Sequence, residues 1–332
     1  MHLADTGSVA GRAPGLITTT LVAESKLAVY GAIAANAAIA VTKFVVAGIT
    51  GSSAMLSEGI HSTVDTSNGI LLLVGMKLSQ RPATAEHPFG HGKELYFWGL
   101  IVAVLIFGLG GGMSAYEGVL HMRDPEPLRD PLWNYVVLAL AALFEGASFT
   151  IALRQFLREA GPLPFWRALH SSKDPTTYTV LAEDSAALAG LAIAAIGIFL
   201  SHRLSMPWLD GAASVLIGAL LAGVAVLLIR ESRGLLIGEG LRRDTAHQIR
   251  LMVGAQRHVR QVGRPLSMYI GADEVLLTLD VEFDQQTPAQ DVAATIEAVE
   301  REIRRRYPRI KRIYIEARTS IPPSPAHAAG DG

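Results

Sequence analysis

Apolar residues dominate six stretches in the first two thirds of the chain: Leu27–Ala47, Met55–Leu78, Tyr96–Val119, Leu132–Phe156, Tyr178–Leu200 and Leu209–Ile229. Each approaches or exceeds the ~20 residues with which a helix crosses ~30 Å of hydrocarbon. The pattern predicts an α-helical polytopic membrane protein with six transmembrane helices. Glycines recur in these stretches, Gly108, Gly110, Gly111 and Gly112 in the third and Gly211, Gly218 and Gly223 in the sixth. Small residues of this kind allow close helix packing in lipid. From about Leu241 the pattern changes. Val275, Leu277, Leu279, Val281 and Phe283 alternate with Thr278, Asp280, Glu282 and Asp284, as in a half-buried strand. Val292, Ile296, Val299 and Ile303 then recur at helical spacing, and Ile313, Ile315 and Ala317 alternate once Pro308 has stopped that helix. With a shorter helix near Asp244–Val253 and a weak strand near Leu266–Ile270, the order is helix–strand–strand–helix–strand, a small α+β domain. The expected division is a disordered tail over 1–24, a membrane domain over 25–238, a cytoplasmic domain over 239–319 and a second disordered tail over 320–332.

One apolar stretch carries a polar stripe. In the second segment His61 and Asp65 are four residues apart and so share a helix face, and Glu58 and Asn68 extend it by steps of three. Polar groups at bilayer depth are costly, and they normally face a bundle interior or a water-filled cavity, which makes them candidates for function. An imidazole beside a carboxylate suits a borderline divalent cation such as zinc. Basic residues supply the orientation: Lys26, the Lys77–Lys93 loop, Arg154–Lys173 and Arg230–Arg243 fall on one side, which puts both termini in the cytoplasm. In that topology Asp65 lies about 18 Å from the outer end of its helix and Asp184 about 12 Å from the inner end of its own, so the two depths nearly coincide in a ~30 Å core. Glu145, in the fourth segment, comes out slightly deeper.

Each of these residues has a plainer reading. A lone intramembrane histidine is as readily a hydrogen-bonded packing residue as a ligand, and it is Asp65, one turn away, that favours the ligand reading of His61. Asp184 has little other explanation. Glu183 points about 100° away from its neighbour and either binds the ion or pairs with another helix. Glu145 is a ligand or proton carrier, with a structural hydrogen bond as its rival. Glu58 lies near the outer end and lines the path. Asn36 and Lys43 read as hydrogen-bonding and snorkelling residues. A second constellation, Glu86, His87 and His91, lies in the loop after the second segment. Histidines four apart can hold a metal, although exposed loop histidines are usually solvated.

Composition narrows the class. Half of the residues are hydrophobic and 18% are charged, too apolar for an ordinary water-soluble domain of this size. A formal net charge of −1 gives no ground for nucleic-acid binding. Cysteine is absent, so neither disulfides nor thiolate ligands are available, and no prosthetic group is indicated. The first two dozen residues lack the basic-then-apolar order of a signal peptide, and a bacterial-type plasma membrane is the expected location.

At Ser52–Asp65, a Ser-x-x-Met-Leu-Ser-Glu-x-x-His-Ser-x-x-Asp pattern, and at His87–Lys93, His-Pro-Phe-Gly-His-Gly-Lys, the chain resembles the cation diffusion facilitator family. The likeness runs from Leu27 to Ala317, and Asp174–Ala186 resembles a subgroup related to the animal mitochondrial zinc transporter. The resemblance implies a homodimer of six-helix subunits with cytoplasmic ferredoxin-like domains, exporting a divalent metal, usually zinc, in exchange for protons. It implies paired ligands four apart on the second and fifth helices. His61 and Asp65 match the first pair and Asp184 the second member of the other, whose first member falls on Val180, which cannot bind metal. The fourth ligand is then Glu183, Glu145 or water. The family's loop histidines match His87 and His91, with Thr84 at an upstream acidic position that Glu86 can replace. The cytoplasmic domain holds only His247 and His258, so a dimerisation domain without a metal cluster is expected.

A histidine ligand argues against magnesium and calcium, but leaves manganese, iron and cobalt beside zinc. Two other classes compete. Glu58-x-x-His61 has the spacing of an intramembrane di-iron enzyme, but that chemistry requires a second such pair, and the membrane segments hold none. A non-transporting membrane scaffold or metal sensor is the other, although the strands offer no histidines for sensing. The expectation is a transporter, not an enzyme.

Overall fold

A computed structural model of the chain describes residues 33–34, 36–160 and 175–318. Both expected tails and the start of the first apolar stretch lie outside the described residues. Helix α1 covers Asn36–Thr50. A turn at Gly51, with φ of 72°, leads into α2, Ser53–Ser79. Helix α3 runs over Glu94–Arg123 and contains a π-helical stretch, Ile106–Gly112, where its glycines cluster. Then come α4 (Leu132–Ala160), α5 (Pro175–Leu204) and α6 (Trp208–Ile237).

Long apolar helices at α3, α4, α5 and α6 are each sufficient in length and composition to cross a membrane. The expectation of six is thus met in four. Helix α2 has the length, 27 residues, but Ser57, Glu58, His61, Ser62, Thr63, Asp65, Thr66, Ser67 and Asn68 give it a polar middle. The described part of α1 is too short. The distribution of side chains is inverted relative to a protein surrounded by water. Val41 on α1 and Leu143 and Ile151 on α4 are more than half exposed, whereas Lys43, Glu58, His61, Asn68, Glu145 and Glu183 are buried. Such outward apolar faces suit lipid, and polar groups in a lipid-embedded bundle belong inside.

Helices α3 and α6 touch through glycine. A Cβ on Gly118 would stand 2.6 Å from the Gly211 carbonyl oxygen, and one on Gly211 2.8 Å from that of Gly118. Only hydrogen fits there, which is the close approach expected of small-residue stripes. Packing therefore explains these glycines.

Past its last apolar turn α6 continues to Ile237, further than the hydropathy pattern suggested, and ends on Gly238 at φ of 115°. The extension has a physical cause. Leu235 and, from α3, Tyr96 belong to the core of the C-terminal domain together with Ile249, Val275, Leu277, Leu279 and Ile303. That domain comprises α7 (Arg243–Gly254), β1 (Val259–Val262), β2 (Leu266–Gly271), β3 (Glu274–Phe283), α8 (Ala289–Arg306) and β4 (Ile310–Arg318). Strand β3 pairs antiparallel with β2 and with β1, and in parallel with β4 across the α8 connection. Strand β1 is an addition to the expected order. Arg260 and Gln261 stand between its two valines, so it shows no alternation to read. The helices meet the C-terminal domain at β2: the Tyr269 N–H donates to the carbonyl of Glu239, just past α6, at 2.9 Å, and Lys93 Nζ, bonded to the Leu236 carbonyl at the end of α6, also reaches Met268 Sδ at 4.0 Å.

Candidate functional site

The polar stripe is aimed by the way α2 begins. Ser52 caps the helix, its Oγ accepting the Met55 N–H at 3.1 Å. Asp210, on the first turn of α6 and fully buried, accepts from the Ser52 hydroxyl at 2.9 Å, the Ser53 N–H at 2.5 Å and the Ala54 N–H at 3.3 Å. A carboxylate against the exposed amides of a helix N-terminus satisfies donors that have no partner inside the helix and complements its dipole. One turn further, Ser53 and Ser57 both meet the Ser214 hydroxyl of α6. His121 of α3 lies with Nε2 3.9 Å from Asp210. These contacts set the rotation of α2 and with it the direction of Glu58, His61, Asp65 and Asn68.

His61 is buried, and neither ring nitrogen has a hydrogen-bond partner among the described residues. Its Nε2 stands 3.5 Å from Asp65 Oδ2, while Asp65 Oδ1 is likewise unpartnered there. Orphaned buried polar atoms are rare in native structures, and each needs a reason. Glu145, Glu183 and Asp184 stand within electrostatic reach of Asp65. Neighbouring residues on α5 face different helices: Glu183 accepts from Asn68 Nδ2 of α2 at 2.8 Å, whereas Asp184 accepts from the Ser148 hydroxyl of α4 at 2.9 Å. Glu183 and Glu145 are buried and Asp184 is half-buried. Val180, one turn before Asp184, is partly buried and offers no donor atom. Among the described residues no three His, Asp or Glu side chains converge closely enough to hold an ion. His61 and Asp65 form a pair, with the three carboxylates around it on α4 and α5.

Lys43 was expected to snorkel. Instead it is 1% exposed, and its ammonium donates to Glu58 Oε2 at 2.9 Å and to the Ser62 hydroxyl at 2.8 Å. Inside the bundle the ammonium finds its counter-charge in Glu58. Glu58 is fully buried on a helix that carries no Lys or Arg within a turn of it, and such a charge requires a partner from elsewhere.

Toward the C-terminal domain, the His87 and His91 rings lie 4.6 Å apart, with Glu86 and His87 exposed and His91 partly buried. His91 Nδ1 is 3.1 Å from the Pro82 carbonyl oxygen. The three line an open depression of about 590 Å³ together with Met268 and Ile270 of β2.

Fold and site together define a polytopic helical membrane protein with an ionisable pair and two carboxylates, Glu145 and Glu183, buried in the bundle and a third, Asp184, half-buried beside them. Residues 29–237 match the family model of the cation efflux transmembrane domain. The chain therefore belongs to the cation efflux, or cation diffusion facilitator, family. It is 33% identical over 237 residues to the mitochondrial proton-coupled zinc antiporter of Xenopus laevis, an alignment covering 71% of this chain and 42% of that protein. It is 31% identical over 269 residues to a metal tolerance protein of Arabidopsis thaliana, covering 80% and 59%. Magnetosome protein MamM of Paramagnetospirillum magneticum is 28% identical over 280 residues, covering 80% of each chain. The chain spans less than half the length of the zinc antiporters that it matches. The first of these is named as a zinc antiporter and the second as a metal tolerance protein, and none is named as an enzyme.

Proposed function

We propose that this protein is a secondary active transporter that exports a divalent transition metal, zinc foremost, from the cytoplasm in exchange for protons. The observation that carries the reading is the His61–Asp65 pair. It is inside the bundle, has free ring nitrogens and a free carboxylate oxygen among the described residues, and has Glu145, Glu183 and Asp184 within electrostatic reach. In this reading His61, Asp65 and Asp184 bind the metal, and Glu183 or Glu145 supplies what Val180 lacks. Binding requires deprotonated ligands, so metal entry expels protons and affinity falls as acidity rises. Protons arriving from the other side then displace the ion, and imidazole is well suited to that exchange. The zinc antiporter name of a relative with 33% identity supports both the metal and the coupling. The mixed nitrogen and oxygen donors also accept manganese, iron and cobalt.

The same proposal holds six spanning helices, α1 and α2 crossing with the four apolar ones, and a division into a membrane domain over 25–238 and a cytoplasmic domain over 239–319. It further holds a homodimer, both termini on the cytoplasmic side and a bacterial-type plasma membrane. Glu86, His87 and His91 stand as a second metal site at the domain junction. In reconstituted vesicles, His61→Ala and Asp65→Ala are expected to abolish metal-dependent flux while the purified protein still elutes as the wild type does. Full flux in either variant would remove the pair from the transport site.

A further inference from the structure

The Lys43–Glu58 pair has a role beyond joining two helices. Burying an ion pair costs desolvation of both groups, and an apolar pair of similar volume often holds helices together as well or better. Something other than stability is then expected of it. The pair lies on the working stripe itself, Glu58 one turn before His61 and Ser62 directly after it. Lys43 stands within electrostatic reach of His61, Asp65 and Glu145. Glu58 uses only Oε2 for the ammonium, and Oε1 has no hydrogen-bond partner among the described residues. That free oxygen lies against Gly190 of α5, where a Cβ would stand 2.5 Å from it, so the helix that carries Glu183 and Asp184 approaches Glu58 directly.

We propose that Lys43 is the built-in counter-cation of the metal site: it holds Glu58 off the metal and sets the negative charge that an arriving dication meets. The inference rests on the metal-transport reading above. A fixed positive charge at the rim lowers the affinity of the site for a divalent ion, which keeps the ion releasable. Removing the charge has two consequences of one sign, because the site becomes more negative and Glu58 is freed as an additional oxygen donor. Removing Glu58 alone has the opposite sign, since it leaves the ammonium uncompensated beside the site.

The test is zinc binding by titration calorimetry to the purified full chain in detergent, in a His87→Ala/His91→Ala background that removes the loop site, with Lys43→Met, Glu58→Gln, the double variant and Asp65→Ala added to it in parallel. Lys43→Met is expected to bind zinc about tenfold more tightly and Glu58→Gln about tenfold more weakly. The double variant is expected within about threefold of that background, because the two effects cancel. A purely structural pair predicts weakening in both single variants, and that result, or no change in either, overturns the proposal. If Lys43→Met does not fold, recovery of affinity from Glu58→Gln to the double variant decides the matter, and its absence counts against a counter-cation. Asp65→Ala separates the two readings. Zinc binding that survives it refutes the site itself, whereas binding lost in Asp65→Ala but unmoved in the other variants refutes only the role of Lys43.

Discussion

Asp210→Ala tests whether the entry of α2 is held from α6. The substitution leaves the Ser53 and Ala54 amides and the Ser52 hydroxyl without their acceptor in a place that is fully buried. Each orphaned N–H costs roughly 1–3 kcal/mol, and loss of a negative charge at the helix N-terminus adds about 0.3–1 kcal/mol. Relief from desolvating the carboxylate offsets part of this, so the net loss is about 3 kcal/mol. That is a fall of roughly 6–12 °C in the unfolding midpoint, from about 2–4 °C per kcal/mol in a domain of this size. Asp210→Asn keeps one acceptor oxygen for the amides and is expected near half that fall. The assay is thermal unfolding in detergent followed by tryptophan fluorescence, for which the chain has four tryptophans. Flux should fall in the same order, because a loosened α2 loses the aim of His61 and Asp65. A midpoint for Asp210→Ala within about 2 °C of the wild type would refute the argument that this carboxylate anchors α2.

Two further substitutions probe the packing around the stripe. Asn68→Leu removes the amide that orients Glu183, and zinc flux at subsaturating metal should drop about tenfold while the protein remains folded, as happens when a group behind a ligand is lost. Unchanged flux would separate the orientation of Glu183 from transport. Gly118→Val forces α3 away from the Gly211 carbonyl, at an overpacking cost of about 1–3 kcal/mol and several degrees of midpoint. Gly108→Val, where a Cβ meets nothing within 4 Å, should leave the midpoint in place, and equal effects of the two would contradict the close α3–α6 contact.

Much of the architecture is written in runs of hydropathy long enough to survive any tertiary context. The third to sixth helices are of this kind, and their observed bounds differ from the apolar stretches mainly where a helix runs on past its last apolar turn. Helix α6 is the clearest case, since Leu235 is buried by a partner domain that hydropathy in the membrane segment does not describe. Strand β1 escaped because four residues with two central polar ones carry no period. At the site, His61 and Asp65 were legible because both lie on one helix and the i, i+4 relation holds in any packing. Which of Glu183 and Asp184 turns to α2 was not, because it depends on the rotation of α5, and that is set by contacts such as Gly197 against Ala213. Lys43–Glu58 and Asp210 with the N-terminus of α2 were illegible for a related reason. Their partners are 15 and more than 150 residues apart and are joined only by packing.

The most direct measurement is metal uptake into proteoliposomes under an imposed pH gradient, with zinc, manganese, iron and cobalt compared and Asp184→Asn run beside the wild type. Proton-coupled transport predicts zinc uptake that follows the gradient, collapses when the gradient is dissipated and disappears in Asp184→Asn. A correctly inserted, folded protein that moves none of the four metals, or moves them regardless of the gradient and of Asp184, would contradict it.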